Sequence, residues 1–399
     1  MEAPCGSPGT ALHLAAPGIY RDGIPHAVYD RIRTDHAVHH DGGATPFYAV
    51  LTHAEAARVL QDTAHFSSAL KGILIEDVSE QMRPVMRAML PFTDAPSHTE
   101  LRRKLAAPLL AGHLAGLKAR LGCACEALIR AALADGEVEF VHRLAAEVPL
   151  TAFGLLTGLE RGELEPLREP SDAVIENGLN GSSVAIAQLC QHLDELVGRR
   201  LREPRDDYMT WLAQVDFAER PMSSLERNGM LLQIVIGALE TARNTIAGFL
   251  VALSENPAQW HALRGDRTLV GNAVEESLRF VSPVNYLRRT TVTAVDLRGV
   301  SLPPGARVVV FLSAANRDPA RFVRPHELSL GRTNARQHLA LGAGAHFCMG
   351  AALARMQLTA FWSAFGAAVA DFELTGPCER GGLVQQNLIK RLPVRLQAA

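Results

Sequence analysis

Lysine is scarce in this 399-residue chain: it occurs only at Lys71, Lys104, Lys118 and Lys390, and the other basic side chains are arginines. Few lysines disfavour Schiff-base chemistry, whereas the planar guanidinium of arginine suits bidentate binding of carboxylates. An excess of charge is also lacking, because 40 basic residues nearly cancel 42 acidic ones. This balance gives no strong field that would attract nucleic acid or an anionic membrane. We therefore expect a small-molecule substrate.

Paired cysteines are missing as well. The six cysteines are spread along the chain without a C-x-x-C pair, which argues against a disulfide framework and indicates a reducing, cytoplasmic environment. Residues 1–20 lack the basic start and continuous apolar stretch of a signal peptide, so we expect a flexible N-terminus there. The longest apolar helix pattern, residues 230–253, contains Glu240, Arg243 and Asn244 near its middle. It predicts a buried helix of a soluble protein and not a membrane span.

Helical periodicity dominates from about residue 95 to residue 278. Capping-box patterns at 52–55 and 97–100 predict two helix starts, the second of which places His98 in a first turn. Strand patterns are few, at 47–51 and at 292–312 around a Pro-Pro-Gly turn. Neither a repeat nor a linker divides the chain. We predict one domain over residues 1–399, mainly α with small β-sheets (α+β).

The segment with the most informative chemistry is L-G-A-G-A-H-F-C-M-G at residues 341–350, which an apolar helix pattern follows. Glycines let the backbone approach a flat ligand, and the start of a helix favours the thiolate form of Cys348 over the thiol. The alternative is a buried, unreactive cysteine in a glycine-rich turn. Signals elsewhere in the chain decide between the two readings.

This segment resembles the haem-binding loop of the cytochrome P-450 superfamily, F-G-x-G-x-H-x-C-x-G, with Leu341 in place of the first Phe. The resemblance implies that Cys348 is the proximal ligand of the haem iron and that His346 contacts a haem propionate. Since Leu341 is still apolar, we expect a retuned iron potential and retained ligation.

A second match is E-S-L-R at residues 276–279, the family's E-x-x-R, in which Glu276 and Arg279 can form an ion pair on one helix face. Such pairs are common on surfaces, so the value of this one lies in its position about 70 residues before the Cys348 loop. The family often adds an arginine after the Pro-His at 325–326. Glu327 stands there instead, which leaves Arg332 as the available substitute.

His98 and Arg102 lie four residues apart and should project from one helix face. They match the family's H-x-x-x-R, which implies binding of a haem propionate, and Arg289 matches its third propionate site, with Arg288 as the alternative. A solvated basic face without a ligand is the other reading. Together with His346 the chain offers four donors for two carboxylates, which a buried haem needs.

The pattern G-A-L-E-T at residues 237–241 lies in the middle of the long helix. Thr241 can bond the carbonyl of Gly237 and loosen the helix, and small side chains leave room for a diatomic ligand. An exposed polar stripe is the alternative. By resemblance to the family's acid and alcohol pair, Glu240 relays protons and Thr241 holds activated oxygen until its O–O bond breaks, which favours dioxygen over peroxide as the oxidant.

The resemblance covers about residues 47–396 and implies a cytochrome P-450 fold with haem b (iron protoporphyrin IX) between the central helix and the Cys348 loop. It implies a cytoplasmic, monomeric monooxygenase that hydroxylates a small hydrophobic or natural-product substrate with dioxygen. A separate ferredoxin-type donor, with its reductase, should supply electrons at the face that carries Arg102, Arg103, Lys104 and Arg355.

Two alternatives remain. A relative that performs coupling, desaturation or epoxidation would carry the same motifs, and a non-catalytic haem sensor or carrier would not need Glu240 and Thr241. By resemblance, residues 71–90, 165–190, 283–287 and 383–388 should contact the substrate. The Arg-Asn at 243–244 is a weak cue for steroid or terpenoid oxidation, and natural-product tailoring is equally plausible.

Overall fold

Helices form most of the protein. The computed structural model describes residues 13–80, 82–109, 111–179, 181–217 and 220–399. The α-helices of these residues are α1 (His26–Asp35), α2 (His53–Gln61), α3 (Arg83–Arg87), α4 (Ser97–Ala106), α5 (Ala111–Asp135), α6 (Glu147–Thr157), α7 (Arg161–Asn177), α8 (Ser183–Arg202), α9 (Tyr208–Gln214), α10 (Ser224–Ser254), α11 (Pro257–Gly265), α12 (Val270–Val281), α13 (Leu312–Ala315) and α14 (Ala351–Ala368). The prediction of a mainly helical fold is confirmed.

The strands are short. They are β1 (Val38–Asp41), β2 (Phe47–Val50), β3 (Phe66–Ser67), β4 (Glu137–Glu139), β5 (Asp216–Phe217), β6 (Arg220–Pro221), β7 (Tyr286–Thr291), β8 (Val295–Leu297), β9 (Val300–Leu302), β10 (Arg307–Phe311), β11 (Val369–Leu374), β12 (Glu379–Arg380), β13 (Ile389–Arg391) and β14 (Pro393–Ala398). The largest sheet has the order β1-β2-β10-β7-β3, in which only the β2–β10 pair is parallel. A second sheet has the order β11-β14-β4.

Strand β2 and the strands around the Pro-Pro-Gly turn match the sequence prediction, and Gly305 in that turn has a φ of 79°. Strand β7 was not predicted. It is buried along almost its whole length and contains Arg288 and Arg289, so it lacks the alternation of apolar and polar residues that marks a half-buried strand.

Neither predicted capping box forms. Helix α2 does have Thr52 as its N-cap residue, but no side chain caps its amides, and the Thr52 hydroxyl donates instead to Glu55 Oε2 at 2.7 Å. Helix α4 begins at Ser97 after Pro96, and no side chain caps it; the prediction that Ser97 is its N-cap is wrong. Because Ser97 is already helical, it lies one position too late to cap. His98 nevertheless lies in the first turn.

The N-terminal segment is packed from residue 13 onward, although the sequence predicts flexibility to about residue 20. The Leu14 side chain is fully buried, and its amide donates to Asp41 Oδ2 at 2.5 Å. The Tyr20 hydroxyl donates to the Leu14 carbonyl at 2.7 Å. The flexibility prediction is therefore wrong for residues 13–20, because these contacts hold them against the first sheet, and residues 1–12 lie outside the described part of the chain.

Helix α10 lies at the centre of the fold and packs against α6, α7, α8, α12 and α14. A complete capping box starts it: Ser223 Oγ accepts from the Glu226 amide, and Glu226 Oε2 accepts from the Ser223 amide. Among the described residues, α10 alone has the length and hydropathy that could cross a membrane, but 67% of its most apolar window is buried in the protein. Such burial is typical of a core helix.

Candidate active site

A large cavity separates the middle of α10 from the Cys348 loop and the start of α14. Its empty volume is about 1570 Å³, a figure that includes the open space at its mouth. It brings together most of the side chains that the sequence singled out, namely His98, Arg102, Thr241, Arg289, His346 and Cys348.

Backbone geometry positions Cys348 at the cavity wall. Gly342 and Gly344 have φ values of 73° and 67°, and a Cβ on Gly344 would lie 2.7 Å from the Leu60 carbonyl oxygen. The Cys348 amide donates to the Leu341 carbonyl at 2.8 Å, which closes the loop directly before α14. The loop thus needs glycine for its turn and for its close approach to α2.

The Cys348 side chain is reachable from the cavity although it lies deep in the protein. Burial raises the pKa of its thiol, whereas the backbone N–H of Gly350 and the charges of Arg102 and Arg355 lower it. A hydrogen bond to sulfur and nearby guanidinium groups favour the thiolate. A metal ion bound to the sulfur would complete the deprotonation, because thiolate is the form that ligates metals.

Four basic side chains meet at one end of the cavity. The rings of His98 and His346 have their centroids 4.0 Å apart, Arg102 donates to the Phe347 carbonyl, and Arg289 is 2% exposed. Burial, followed by the charges of Arg289 and His98, lowers the pKa of His346 to about 3. Burial also lowers the pKa of Arg289, to about 10.

This basic cluster has few partners of its own. Among the described residues, no carboxylate forms an ion pair with Arg102 or Arg289, and the buried Nε2 of His98 has no hydrogen-bond partner. Unpaired buried cations are costly, so the cluster is suited to an anionic ligand. The two propionates of a haem are a chemically matched pair, and the sulfur of Cys348 lines the same cavity. The residues present therefore fit haem.

Arg288 is not available for this cluster. Its Nη1 donates to Asp77 Oδ1 at 2.7 Å and also contacts the carbonyls of Leu74 and Ile75. Since neighbouring residues of a strand point to opposite faces, only Arg289 faces the cavity. The choice between the two arginines, which the sequence left open, follows from this geometry.

The small residues of α10 and Thr241 border the cavity, as the sequence predicts. Thr241 Oγ1 donates to the Gly237 carbonyl at 3.0 Å, and Thr245 Oγ1 donates to the Thr241 carbonyl at 2.7 Å. Ala238 lies beside Gly237 on the wall. These two hydroxyl contacts compete with the backbone bonding of the helix next to the cavity.

Glu240 does not line this cavity. It is 2% exposed and faces a separate crevice, about 320 Å³ in empty volume, whose wall also includes His142, Arg168 and Asp172. Burial raises the pKa of Glu240, and the positive charge of Arg243 partly counters this rise. The distance between Arg243 Nη2 and Glu240 Oε2 is 2.6 Å. Because successive residues of a helix are about 100° apart, the acid and the alcohol point in different directions.

Glu276 and Arg279 form a fully buried, bidentate ion pair with N–O distances of 2.7 and 2.8 Å. Arg279 also donates to the carbonyls of Asn316 and Pro325, both at 2.9 Å. Arg332 Nε contacts both oxygens of Glu276, at 3.0 and 3.1 Å. Arg332 therefore takes the substitute position that the sequence suggested.

A neighbouring network was not predicted. Arg355 binds Glu275 through two hydrogen bonds, at 2.7 and 3.0 Å, and His338 Nε2 lies 3.2 Å from Glu275 Oε2. The available signal was the pair of adjacent glutamates at 275 and 276, one of which had no assigned partner. Two of the basic residues expected at the face that docks the electron donor thus already have acidic partners within the chain. Arg355 pairs with Glu275, and Lys104 pairs with Glu100 and Asp216.

Two of the four segments that were expected to contact the substrate border the cavity. Ile73 and Leu90 of segment 71–90 and Pro283, Val284 and Leu287 of segment 283–287 line it, whereas no described residue of segments 165–190 or 383–388 does so. Helix α7 lies instead at the Glu240 crevice, through Arg168 and Asp172. Wall residues that the sequence did not suggest include Leu109, Phe153, Leu156, Tyr208, Gln233 and Gln357.

Comparison with known proteins finds related sequences and structures. The family profile described as cytochrome P450 matches residues 185–374. Cytochrome P450 126 of Mycobacterium tuberculosis is 30% identical, with 95% of each chain covered. Linalool 8-monooxygenase of Pseudomonas putida is 28% identical over 95% of this chain and 96% of that protein. The crystal structure of CYP108D1 from Novosphingobium aromaticivorans is 26% identical and superposes with a TM-score of 0.84, covering 97% of both chains.

The chain belongs to the cytochrome P450 family. It is a haem-dependent cytochrome P450 monooxygenase, an enzyme that acts on a small molecule with dioxygen and electrons from a redox partner.

Proposed function

We propose that this enzyme hydroxylates a small, predominantly apolar substrate, with Cys348 as the iron ligand and electrons from a separate ferredoxin-type protein. The observation that carries the proposal is the joint presence in one cavity of the Cys348 sulfur and the unpaired basic cluster. We propose that the enzyme acts as a soluble, cytoplasmic monomer with a single domain.

The basic cluster would bind and orient haem. His98, Arg102, Arg289 and His346 would hold the two propionates, whose charges would replace the partners that these groups lack. Haem ligated by thiolate, when bound, supplies the activation of dioxygen for oxidation of C–H bonds. The chain contributes the deprotonated sulfur of Cys348 and a cavity lined mainly by apolar side chains.

Thr241 would act at the α10 side of the cavity, and Glu240 would supply protons from its separate crevice. Thr241 lies beside the space that Gly237 and Ala238 leave open. Its hydroxyl donates to the Gly237 carbonyl, so its oxygen can accept a hydrogen bond from a ligand in that space. Glu240, whose raised pKa lets it hold a proton near neutral pH, faces the crevice with the exposed His142 at its wall. A rotation of the Glu240 side chain would carry a proton from that crevice towards Thr241.

Hydroxylation of an apolar compound agrees with the walls that Ile73, Leu90, Val284 and Leu287 form. It also agrees with the name of the relative linalool 8-monooxygenase. The presence of both Glu240 and Thr241 favours oxidation over mere storage or sensing of a gas, because neither of those needs a proton donor.

Carbon monoxide binding to the reduced holoprotein tests the ligand assignment. We expect the red-shifted Soret band of thiolate ligation in the wild type and in Cys378→Ala, which removes another partly buried cysteine. Cys348→Ala should lose this band. An imidazole-like band in the wild type, or a red-shifted band in Cys348→Ala, would refute the assignment.

A further inference from the structure

Gln233 is a polar residue on a mainly apolar cavity wall. It lies on α10 and lines the cavity together with Ile73, Leu90 and Leu287. Among the described residues, none donates a hydrogen bond to its buried Oε1. The carboxamide oxygen thus has unused capacity for hydrogen bonding on a residue that lines the cavity.

The position of Gln233 relative to Thr241 follows from helix geometry. Residues 233, 237 and 241 recur every four positions, so they share one side of α10, and all three line the cavity. Eight residues at ~1.5 Å per residue separate the backbones of Gln233 and Thr241 by about 12 Å along the helix axis. A molecule bound to Gln233 can therefore extend along α10 to the position of Thr241.

The carboxamide can serve as donor or acceptor. Its NH2 group donates and its oxygen accepts, and a rotation by half a turn exchanges the two groups. A hydroxyl group can likewise donate or accept, so it can pair with either orientation of the amide. A purely apolar molecule would leave the amide without a partner, which disfavours its binding.

We propose that Gln233 determines specificity: it binds a hydroxyl group of a predominantly apolar substrate and so selects the carbon that reaches Thr241, about 12 Å further along α10. This inference rests on the proposed function, because it assumes that oxidation takes place beside Thr241. The substrate class is an elongated apolar alcohol whose hydroxyl group is remote from the carbon that is oxidised.

Gln357 is the competing amide. Its Oε1 is also buried without a partner, and it also lines the cavity. However, Gln357 lies on α14, the helix that starts directly after the Cys348 loop, and so belongs to the thiolate side. A substrate beside α10 should be insensitive to it, which makes Gln357→Leu an informative comparison.

Ligand titrations of the haem-loaded full chain test the proposal. The probes are dodecanol and dodecane, and the dissociation constants come from the change in spin state of the haem. We expect the wild type to bind dodecanol roughly two- to tenfold more tightly than dodecane, as one hydrogen bond implies. In Gln233→Leu, and in the unbranched variant Gln233→Met, the two constants should become equal.

The control variants should keep the preference for dodecanol. They are Ile234→Leu, which alters a neighbouring wall residue, and Gln357→Leu. Product analysis adds a second readout: in the wild type, oxidation of dodecanol should cluster towards the end remote from the hydroxyl, and in Gln233→Leu it should spread along the chain.

The outcomes separate the two proposals. Every preparation is first tested for the red-shifted carbon monoxide band, and its absence from the wild type would overturn the proposed function. If the band is present, equal affinities or no binding in the wild type, or an undiminished preference in both Gln233 variants, would overturn the role of Gln233 alone. Loss of the preference in Gln357→Leu, with the preference kept in Gln233→Leu, would transfer the role to Gln357.

Discussion

The Nε of Arg332 donates hydrogen bonds to both carboxylate oxygens of Glu276, at 3.0 and 3.1 Å, although 55 residues separate the two in the chain. Its other nitrogens donate to the carbonyls of Val323, Arg324 and Glu327. Through these hydrogen bonds Arg332 connects the segment that precedes the Cys348 loop to the buried Glu276–Arg279 pair on α12.

Replacement of Arg332 by leucine should lower the free energy of unfolding by about 2–4 kcal/mol, because it removes one partner of a buried carboxylate and one hydrogen-bond donor from each of three carbonyls. Urea unfolding of the holoprotein, followed by helical circular dichroism, measures this. Arg391→Gln, which breaks an exposed pair with Glu379, should change stability by less than about 1 kcal/mol. Equal midpoints for the two variants would contradict the prediction.

Glu275 should make stability depend on pH. Burial alone would raise its pKa, but hydrogen bonds from His338 and Arg355 outweigh burial and lower the pKa to about 2 from an ordinary value of 4.5. The unfolded chain therefore binds the proton first as the pH falls, so the stabilisation by Glu275 is complete above pH 4.5 and is lost as the pH falls towards about 2.

The corresponding variant is Glu275→Gln, which should be less stable than the wild type by about 2 kcal/mol at neutral pH. Urea midpoints measured between neutral pH and pH 4 should show a constant difference at first and a smaller one below the ordinary glutamate pKa of 4.5. If the difference in urea midpoint between the wild type and Glu275→Gln grows as the pH falls, the predicted direction of the pH dependence is wrong. Glu137→Gln, in an exposed pair with Arg395, provides the matched control at neutral pH.

Gly248 should not tolerate alanine. It lies within α10, where a Cβ would come 2.7 Å from Val281 Cγ1 and 3.1 Å from Cγ2. Because Val281 is β-branched and stiff, it cannot turn aside, and Gly248→Ala should cost about 1–3 kcal/mol in unfolding free energy.

The control is Gly271→Ala in α12, where nothing lies within 4 Å of the added Cβ. Alanine is the better helix former, so this variant should gain about 0.5–1 kcal/mol. Thermal or urea unfolding measures whether each variant is more or less stable than the wild type. A stabilised Gly248→Ala would show that α10 and α12 pack less tightly at Gly248 than the contact with Val281 implies.

Thr241→Ala should uncouple oxygen consumption from product formation. The change removes the hydroxyl that lies beside Gly237, so we expect a several-fold lower ratio of product to oxygen consumed, with hydrogen peroxide as the excess product. Thr245→Ala removes a second hydroxyl of the same wall and should leave the ratio near that of the wild type. Unchanged coupling in Thr241→Ala would remove Thr241 from the proposed function.

Local sequence was sufficient for the features that adjacent residues determine. The turn that presents Cys348 needs glycines at neighbouring positions, and the Thr241 hydroxyl reaches the carbonyl four residues back in any helix. The helical class followed from three- and four-residue periodicity. The family resemblance could therefore be recognised from the spacing of short motifs and their order along the chain.

Tertiary structure decided what depends on residues far apart in the chain. Only packing shows that Glu240 faces a crevice with Asp172 and Arg243, apart from the cavity that Thr241 borders. The partners of Glu275 lie 63 and 80 positions further along the chain, and the position of Gln233 on the cavity wall depends on the elements that pack around α10. Sequence spacing determines which side chains share a helix face, but the direction of that face is set by long-range packing, which local patterns do not encode.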